Sequence, residues 1–199
     1  MFSNLPHAPA TKRNRGPIWD LLSNRLPLQG SVLEIASGTG EHIAWMAPQR
    51  VTLSWQPSDQ SKERCSVIDS YNAEHSNVLP AITLDVNDHA WPVLKYNAIL
   101  CINMIHISPW ESAIALFHHA QNHLMGNGFL YLYGPFNQKG KYTSQGNARF
   151  DQSLRSENES WGIRDLEQVI SLAKENGFHQ HQIISMPANN LSVSFRCVK

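Results

Sequence analysis

The sequence predicts an α/β fold in which a doubly wound, mostly parallel sheet of seven strands carries helices on both faces. Short apolar strand patterns alternate with helical patterns along most of the chain. Such alternation with short connections is typical of parallel sheets that are covered by helices. Residues 179–198 differ, because two strand patterns flank the sequence PANN there and predict an antiparallel C-terminal hairpin.

Four of the predicted strands lie in the first half of the chain. They span residues 31–36, 51–55, 78–85 and 96–103, and the helices beside them span 16–26, 41–48 and 61–75. Pro17 suits the first turn of a helix, where its missing N–H group would have no partner. Pro80 favours an edge position or an early strand position. The fourth strand is apolar enough to be covered on both faces.

The second half continues the alternation as far as the hairpin. A helix at 109–125 ends at the sequence GNG, a strand spans 128–133, and a helix at 164–177 closes at Gly177. Residues 134–162, between the strand and the last helix, are polar and rich in Gly and Asn. This composition predicts an insertion after the fifth strand.

Length and composition limit the possible functions. A chain of 199 residues suits one domain (1–199), with residues 1–30 as an N-terminal segment and helix. Sixteen basic and sixteen acidic residues balance, so we expect no broad electrostatic surface for nucleic acid or an anionic membrane. Cys65, Cys101 and Cys197 have neither disulfide nor zinc spacing. Without a signal-peptide pattern or a run of roughly 18 apolar residues, we expect a soluble cytoplasmic protein.

Five residues with ligand-binding chemistry follow or end predicted strands, where ligands of doubly wound sheets bind. Gly38 and Gly40 follow the first strand, Asp59 follows the second, and Asp85 and Asn103 end the third and fourth. Glycines let the backbone approach a ligand and leave N–H groups free. A carboxylate after the second strand can accept both hydroxyls of a ribose, and Asp59, which we expect at an exposed strand end, follows Gly40 by 19 residues (59 − 40). The pattern predicts a nucleoside-containing ligand.

The glycine pattern does not fit two common nucleotide motifs. The dinucleotide motif G-x-G-x-x-G fails because its third position, read from Gly38, is Ile43, and no Gly-Lys-Ser/Thr occurs. The stretch VLEIASGTGEH instead resembles the first motif of class I S-adenosylmethionine-dependent methyltransferases, an acidic residue followed by G-x-G-x-G. Ala36 stands where that motif has its first glycine. The resemblance implies a Rossmann-like methyltransferase fold with S-adenosyl-L-methionine as cofactor.

The same resemblance implies a set of cofactor-binding residues. The first motif falls on Glu34, Ala36, Gly38 and Gly40, the ribose carboxylate on Asp59 in PSDQSKE, and the adenine-contacting pair on Asp85 and Val86 in LDVND. Asn103, at the end of the fourth strand, completes the candidate set. The terminal hairpin matches the antiparallel seventh strand of the family.

A narrower resemblance covers nearly the whole chain. The segments RNRGPI, LEIASGTGEH, WQPSD, INMIHISPWE, LYLYGPF, WGIRDLE and MPANNLS together resemble a small group of methyltransferase-like proteins, the domain-of-unknown-function 938 family. This resemblance implies the fold and the cofactor, and it implies no settled substrate.

Methyl transfer from a sulfonium depends mainly on alignment of the acceptor, so no conspicuous catalytic motif is expected. His106 is the candidate general base for an acceptor that must lose a proton. The equal alternative is a histidine that only fixes the HISPW turn. Asp85 and Asp88 could suggest a metal, but no third ligand is apparent, so we predict no metal site.

Missing motifs narrow the substrate class. No N-P-P-Y or D-P-P-Y follows the fourth strand, which argues against amino methylation of adenine or of glutamine side chains. No Pro-Cys pair occurs in the sequence, which argues against 5-methylcytosine formation. The neutral chain favours a small molecule or a peptide over a large RNA.

The insertion 134–162 could form a lid over the acceptor, with the candidate substrate residues Tyr133, Asn147, Arg149, Phe150, Trp161 and Arg164. The alternative is a solvated insertion with Trp161 packed beneath it.

Two other functions stay open at this stage. The chain could be a non-catalytic S-adenosylmethionine-binding protein that acts through a partner. It could also be an NAD(P)-dependent oxidoreductase, although the failed third glycine position argues against a dinucleotide.

Overall fold

The computed structural model describes residues 7–196, which belong to two compact units. The first unit ends at Leu100 and the second begins at Cys101. Cys197 lies outside the described residues. Within them, every helix is too short or too polar to cross a membrane. The single domain 1–199 and the lid at 134–162 stay predictions.

The first unit alternates helices and strands. It contains α1 (Pro9–Leu22), β1 (Gly30–Ile35), α2 (Glu41–Met46), β2 (Leu53–Asp59), α3 (Lys62–Asn72), β3 (Ile82–Thr83) and β4 (Tyr96–Ile102), whose last two residues belong to the second unit. The strand order is β3-β2-β1-β4, and β1–β2 and β2–β3 are parallel pairs. Because β2 and β4 lie on opposite sides of β1, the winding reverses at β1, which is where ligands of such sheets bind.

Three elements of the first unit differ most from the prediction, namely α1, β2 and β3. Helix α1 begins at Pro9, so Pro17 lies inside the helix and not in its first turn. The first residues of α1 are polar, and this removed the apolar signal on which the predicted start depended. Strand β2 runs on to Asp59, and the predicted strand 78–85 shrinks to Ile82–Thr83, so that Pro80 lies outside it.

The second unit contains the remaining helices and the C-terminal hairpin. Its elements are α4 (Trp110–His123), β5 (Leu124–Asn137), α5 (Gln145–Glu157), β6 (Arg164–Asp165), α6 (Leu166–Glu175), β7 (Gln180–Met186) and β8 (Asn190–Arg196). Strand β8 pairs antiparallel with both β5 and β7, and β6 pairs parallel with β5. The predicted α/β class, with a mostly parallel sheet and an antiparallel C-terminal hairpin, is confirmed. Within the described residues, the short strand β6 raises the number of strands from the predicted seven to eight.

Two features of the second unit were not predicted. Strand β5 includes the GNG sequence that was expected to separate helix from strand. Helix α5 lies inside the polar insertion and buries Asn147, Asp151 and Leu154. These residues have the spacing of one helix face, but two of the three are polar, so no apolar periodicity marks the helix in the sequence.

Candidate active site

The turn between β1 and α2 has an unusual backbone. Ala36, Gly38 and Gly40 have φ angles of 52°, 60° and 79°. Glycine adopts such left-handed angles at little cost, whereas an alanine is strained there by roughly 1–2 kcal/mol. The backbone at Ala36 therefore has the conformation that favours glycine, the residue expected there from the methyltransferase motif.

The two glycines of this turn have different surroundings. A Cβ atom on Gly38 would meet no atom within 4 Å. A Cβ atom on Gly40 would lie 3.0 Å from Ile68 Cα and 3.1 Å from Asn72 Nδ2, both in α3. Gly38 thus leaves open space beside the turn, while Gly40 is required by packing inside the protein. Packing against α3 is thus a second reason for a glycine at this position, and ligand approach to Gly40 stays a prediction.

Glu34 places a buried carboxylate just before the turn. The residue is 2% exposed, and its Oε2 atom has no hydrogen-bond partner among the described residues. Burial raises the pKa of Glu34 to about 7, with a smaller lowering from the Ser37 side chain and a further raising from the charge of Asp59. A free carboxylate oxygen at this depth suits a ligand that brings a cation or a hydrogen-bond donor.

Asp59 is buried, not exposed as the sequence suggested. It is the last residue of β2 and is 2% exposed. Its Oδ2 accepts a hydrogen bond of 3.1 Å from Gly38 N–H, and its Oδ1 accepts one of 3.0 Å from Ser61 N–H. The predicted partnership of the glycine turn with Asp59 is therefore a direct contact. Each carboxylate oxygen retains a second lone pair for a ligand hydroxyl.

Asp85 and Val86 form a local turn after β3. Asp85 Oδ1 accepts hydrogen bonds of 2.9 Å from both the N–H and the side-chain amide of Asn87. Val86 is buried, and its carbonyl accepts from Trp91 Nε1 at 3.4 Å. Their predicted contact with adenine stays a prediction.

In the second unit, His106 lies in a short 3₁₀ turn (Met104–His106) that follows β4. It is 1% exposed, and neither ring nitrogen has a hydrogen-bond partner in the described part of the chain. The ring stands edge-on to Phe136 with centroids 5.1 Å apart. Burial lowers the pKa of His106 to about 3, helped by the charge of Arg164 and opposed by contributions from Gly162 and Asp151. The imidazole is therefore neutral at physiological pH.

Asn103 and Tyr133 lie beside this histidine. Asn103 has a left-handed φ of 65°, and its N–H donates to the Tyr133 carbonyl at 2.8 Å. A Cβ atom on the next residue, Gly134, would lie 2.5 Å from His106 Nε2 and 3.3 Å from Asn103 Oδ1. The structure thus brings together three of the predicted residues around the backbone of Gly134.

Arg164 uses its guanidinium group to hold backbone carbonyls. Its Nε donates to the Ile105 carbonyl at 2.8 Å, and its Nη2 donates to the carbonyls of Ser108 and Ser160. The guanidinium carbon also lies 5.8 Å from the centre of the Trp110 ring. The structure therefore gives Arg164 an anchoring role for the turn that contains His106.

Asp151 is a buried carboxylate that the sequence did not single out. It is 1% exposed and accepts hydrogen bonds from Tyr142 Oη (2.8 Å), Arg155 Nε (2.8 Å) and Ile163 N–H (2.6 Å). Burial alone would raise the pKa of Asp151, but these donors outweigh it and hold the pKa below its usual value. The Asp151–Arg155 spacing of one helical turn was the available signal, and it had no meaning without a predicted helix.

The other candidate substrate residues have mixed surroundings. Asn147 is buried, and its side-chain amide donates to Thr143 Oγ1 at 2.9 Å and to the Asn189 carbonyl at 3.2 Å. Arg149 and Phe150 are exposed, and Trp161 is half-buried. Asn147 therefore fixes the start of α5 to the turn of the hairpin, whereas contact of the others with a substrate stays a prediction.

A cavity of about 700 Å³ lies in the second unit. Its apolar lining comes from Trp110, Ile114, Ile163 and Leu172, and its polar lining includes Asn137, Arg155, Arg164, Asp165, Gln168, Ser171 and Glu175. The Asn137 Oδ1 atom is buried without a hydrogen-bond partner among residues 7–196. Of the predicted substrate residues, Arg164 alone is in this lining. Among residues 7–196, no three His, Cys, Asp or Glu side chains are placed to hold a metal ion.

Comparison with known proteins gives a family and a set of similar folds. The family described as a protein of unknown function (DUF938) matches residues 5–197. An O-methyltransferase family protein from Burkholderia thailandensis matches with a TM-score of 0.80 and 15% identity, over 94% of this chain and 57% of that one. An O-methyltransferase family 2 protein from Planctomyces limnophilus, solved with apigenin, matches with a TM-score of 0.76 and 14% identity, over 94% and 59%.

A third similar structure is CalO1, a methyltransferase of calicheamicin biosynthesis in an SAH-bound form. It matches with a TM-score of 0.72 and 11% identity, over 94% of this chain and 55% of that one. This chain spans little more than half the length of each of these structures. The likeness establishes a shared methyltransferase fold.

Proposed function

We propose that this chain, which belongs to the DUF938 family, is an S-adenosylmethionine-dependent methyltransferase that acts on a small molecule or a peptide. The observation that carries the proposal is the left-handed turn at Gly38, which is open to a ligand and backed by two buried carboxylates. The cysteine spacing, which fits no disulfide framework, supports a cytoplasmic location.

The residues of the turn fit this cofactor. S-adenosylmethionine carries an ammonium group, a ribose and a sulfonium, and the sulfonium supplies an electrophilic methyl group when the cofactor is bound. The free Oε2 of Glu34 can accept from an ammonium or a hydroxyl, and the remaining lone pairs of Asp59 can accept from the ribose. Asp85 and Val86 would face the adenine, and a side chain at Gly38 would fill the space that the ligand needs.

His106 is the proposed acceptor of a proton from the methylated group. A buried neutral imidazole with both nitrogens unpaired can accept a hydrogen bond from a hydroxyl or an amine. Its low pKa makes the imidazolium unfavourable, so the ring is a weak base when the acceptor is still neutral. We infer that His106 mainly orients the acceptor and takes its proton late in the reaction.

Calorimetric titration with S-adenosylhomocysteine and with NAD tests the cofactor assignment. We expect S-adenosylhomocysteine to bind and NAD to give no response. Gly38→Val should abolish binding because its side chain fills the open space. Gly140→Val is the matched control, since Gly140 also has positive φ (69°) and no atom within 4 Å of its Cβ position. Binding of NAD alone, or equal binding by Gly38→Val and the wild type, would overturn the assignment.

A second measurement separates the enzyme from a non-catalytic binding protein. Methyl transfer from labelled cofactor to a small-molecule extract or a peptide library is expected with the wild type and not with His106→Ala. A protein that binds S-adenosylhomocysteine but labels nothing would be a binding protein that acts through a partner. The oxidoreductase alternative needs NAD(P) binding, which the titration tests directly.

A further inference from the structure

The His106 ring is oriented without a polar contact of its own. Within residues 7–196 both of its nitrogens lack a hydrogen-bond partner, and its packing neighbours are the Phe136 ring and the backbone of Gly134. The direction of the ring must therefore follow from the backbone that carries it, residues 103–108. A buried ring that is held only by packing loses its orientation when that backbone moves.

Two residues of the segment 162–164, Gly162 and Arg164, hold this backbone. Gly162 N–H donates to the His106 carbonyl at 3.0 Å. Arg164 Nε donates to the Ile105 carbonyl at 2.8 Å, and its Nη2 donates to the Ser108 carbonyl. Residues 162–164 thus contact the turn on both sides of the histidine.

Asp151 in turn holds residues 162–164. Its Oδ1 accepts the Ile163 N–H at 2.6 Å. A Cβ atom on Gly162 would lie 2.8 Å from Asp151 Oδ1 and 2.7 Å from Arg155 Nη2, so this segment packs directly against the Asp151–Arg155 pair. Tyr142 and Arg155 donate to the other carboxylate oxygen, Oδ2. A buried carboxylate with three donors is a rigid anchor, since each of these bonds is charge-assisted.

We propose that Asp151 is a positioning residue for His106, acting through residues 162–164 to fix the turn in which the imidazole sits. The proposal rests on the proposed function only in giving that imidazole a role in methyl transfer. It assigns a purpose to the most buried carboxylate of the polar insertion, which would otherwise be an unexplained charge in the protein interior.

The replacement Asp151→Asn tests the chain of contacts with little change of shape. An amide has one acceptor atom in place of two, so the Ile163 N–H or the Arg155 guanidinium must face an NH₂ group. Residues 162–164 should then loosen and admit water to His106.

Two charged groups act on the His106 ring, Arg164 and Asp151. Loss of the Asp151 charge by itself would lower the His106 pKa further, whereas loss of burial would raise it toward the ordinary value of about 6.5.

Because loss of the Asp151 charge and loss of burial shift the His106 pKa in opposite directions, an NMR titration distinguishes them. The imidazole nitrogen signals of His106, assigned by comparison with His106→Gln, should stay those of a neutral ring from pH 8 to pH 5 in the wild type. In Asp151→Asn we expect the titration midpoint to rise into this pH range, toward the ordinary value of about 6.5. The affinity for S-adenosylhomocysteine should be unchanged.

Asp165→Asn is the matched control. Asp165 also accepts two backbone N–H groups, from Gly140 at 2.8 Å and from Glu167 at 3.2 Å, but neither belongs to residues 162–164. The Asp165→Asn variant should leave the NMR signals of His106 unchanged. If Asp151→Asn does not fold, Tyr142→Phe and Arg155→Gln, which each remove one donor to Asp151, should raise the midpoint in smaller steps.

A folded Asp151→Asn protein with an unchanged or lowered His106 midpoint would overturn the proposal, because the carboxylate would then act only on stability or only through its charge. The titration uses neither cofactor nor acceptor. A failure of the positioning role is therefore distinguishable from a failure of the methyltransferase assignment, which the calorimetric titration tests.

Discussion

The glycine turn (residues 36–40) and the His106 turn (residues 103–108) have similar designs and different supports. Each follows a strand, and each begins with a left-handed residue that is not glycine, Ala36 or Asn103. Each also adjoins buried polar atoms that have no hydrogen-bond partner among the described residues, Glu34 Oε2 or the two ring nitrogens of His106. The glycine turn is shaped by its own backbone, whereas the His106 turn is held by residues far along the chain.

This difference in support determines which substitutions should disturb each turn. In the glycine turn, the strained backbone angles lie within five residues, and the carboxylate that caps it, Asp59, comes from the neighbouring strand. In the His106 turn, the donors come from Gly162 and Arg164, more than fifty residues later. Substitutions inside the first turn should therefore act strongly, and the second should respond to changes at a distance.

The largest effect is expected at Gly40. In Gly40→Val, a branched side chain must adopt positive φ and also overlap α3, where Ile68 Cα lies 3.0 Å from the Cβ position. Strain of about 1–3 kcal/mol for each cause gives a loss of about 2–6 kcal/mol in the free energy of unfolding. Urea denaturation of Gly40→Val and the wild type measures this loss in the free energy of unfolding.

Gly38→Val is the control for this prediction, because it has the same kind of backbone strain without the overlap. It should lose only about 1–3 kcal/mol. If the two variants are equally stable, the contact with α3 does not distinguish the glycines, and ligand approach becomes the better explanation for both.

A smaller loss of stability is expected at Asp59. Asp59→Ala leaves the N–H groups of Gly38 and Ser61 without their charged acceptor, which should cost about 1.5–3 kcal/mol in the free energy of unfolding as well as cofactor affinity. Thermal unfolding and S-adenosylhomocysteine titration on one sample measure both. Asp20→Ala, at an exposed position of α1, is the control. An Asp59 variant of unchanged stability would restore the original expectation of an exposed residue with a ligand role alone.

The contrast between the glycine turn and the His106 turn also explains how much of the structure the sequence could predict. Most of the strands, the hairpin and the pairing of the glycine turn with Asp59 follow from local patterns and from a spacing of 19 residues (59 − 40), because neighbouring parallel strands end at one edge of the sheet. The burial of Asp59 was missed because strand β2 runs four residues beyond the apolar pattern (59 − 55).

The surroundings of His106 could not be predicted in the same way. Helix α5 buries Asn147 and Asp151 on its inner face, so its sequence looks like a solvated insertion. Arg164 was singled out as a substrate residue, but its long side chain donates to three carbonyls, a role that depends on contacts between distant segments. Such contacts have no fixed spacing in the sequence.

A pH-dependent effect is expected from Glu34. Its pKa of about 7 exceeds the ordinary value of 4.5, so the folded state favours the protonated form. Its contribution to stability is complete below pH 4.5 and declines by about 1.4 kcal/mol per pH unit as the pH rises to about 7. The ammonium group of the ligand needs the ionised form of Glu34, so affinity for S-adenosylhomocysteine should fall about tenfold per pH unit below pH 7.

Calorimetric titrations between pH 5.5 and 8 measure this slope. Glu34→Gln should bind more weakly at pH 8 and show no such slope, whereas Glu63→Gln, at an exposed position of α3, should behave like the wild type. A slope that persists in Glu34→Gln would assign the titration to another group.

The smallest effect is expected at Ala36, and it has the opposite sign. Ala36 has a φ of 52°, which costs an alanine roughly 1–2 kcal/mol and costs glycine little. Glycine also gains about 0.4–1 kcal/mol of conformational freedom in the unfolded chain, which offsets part of the relief. We expect Ala36→Gly to stabilise the protein by about 0.5 kcal/mol in urea denaturation, with cofactor affinity unchanged or improved. Ala44→Gly, the same substitution inside α2, should instead destabilise by about 1 kcal/mol. If both variants lose stability equally, the Ala36 methyl group contributes packing that outweighs the backbone strain, and the first position of the motif would then be an alanine for its side chain.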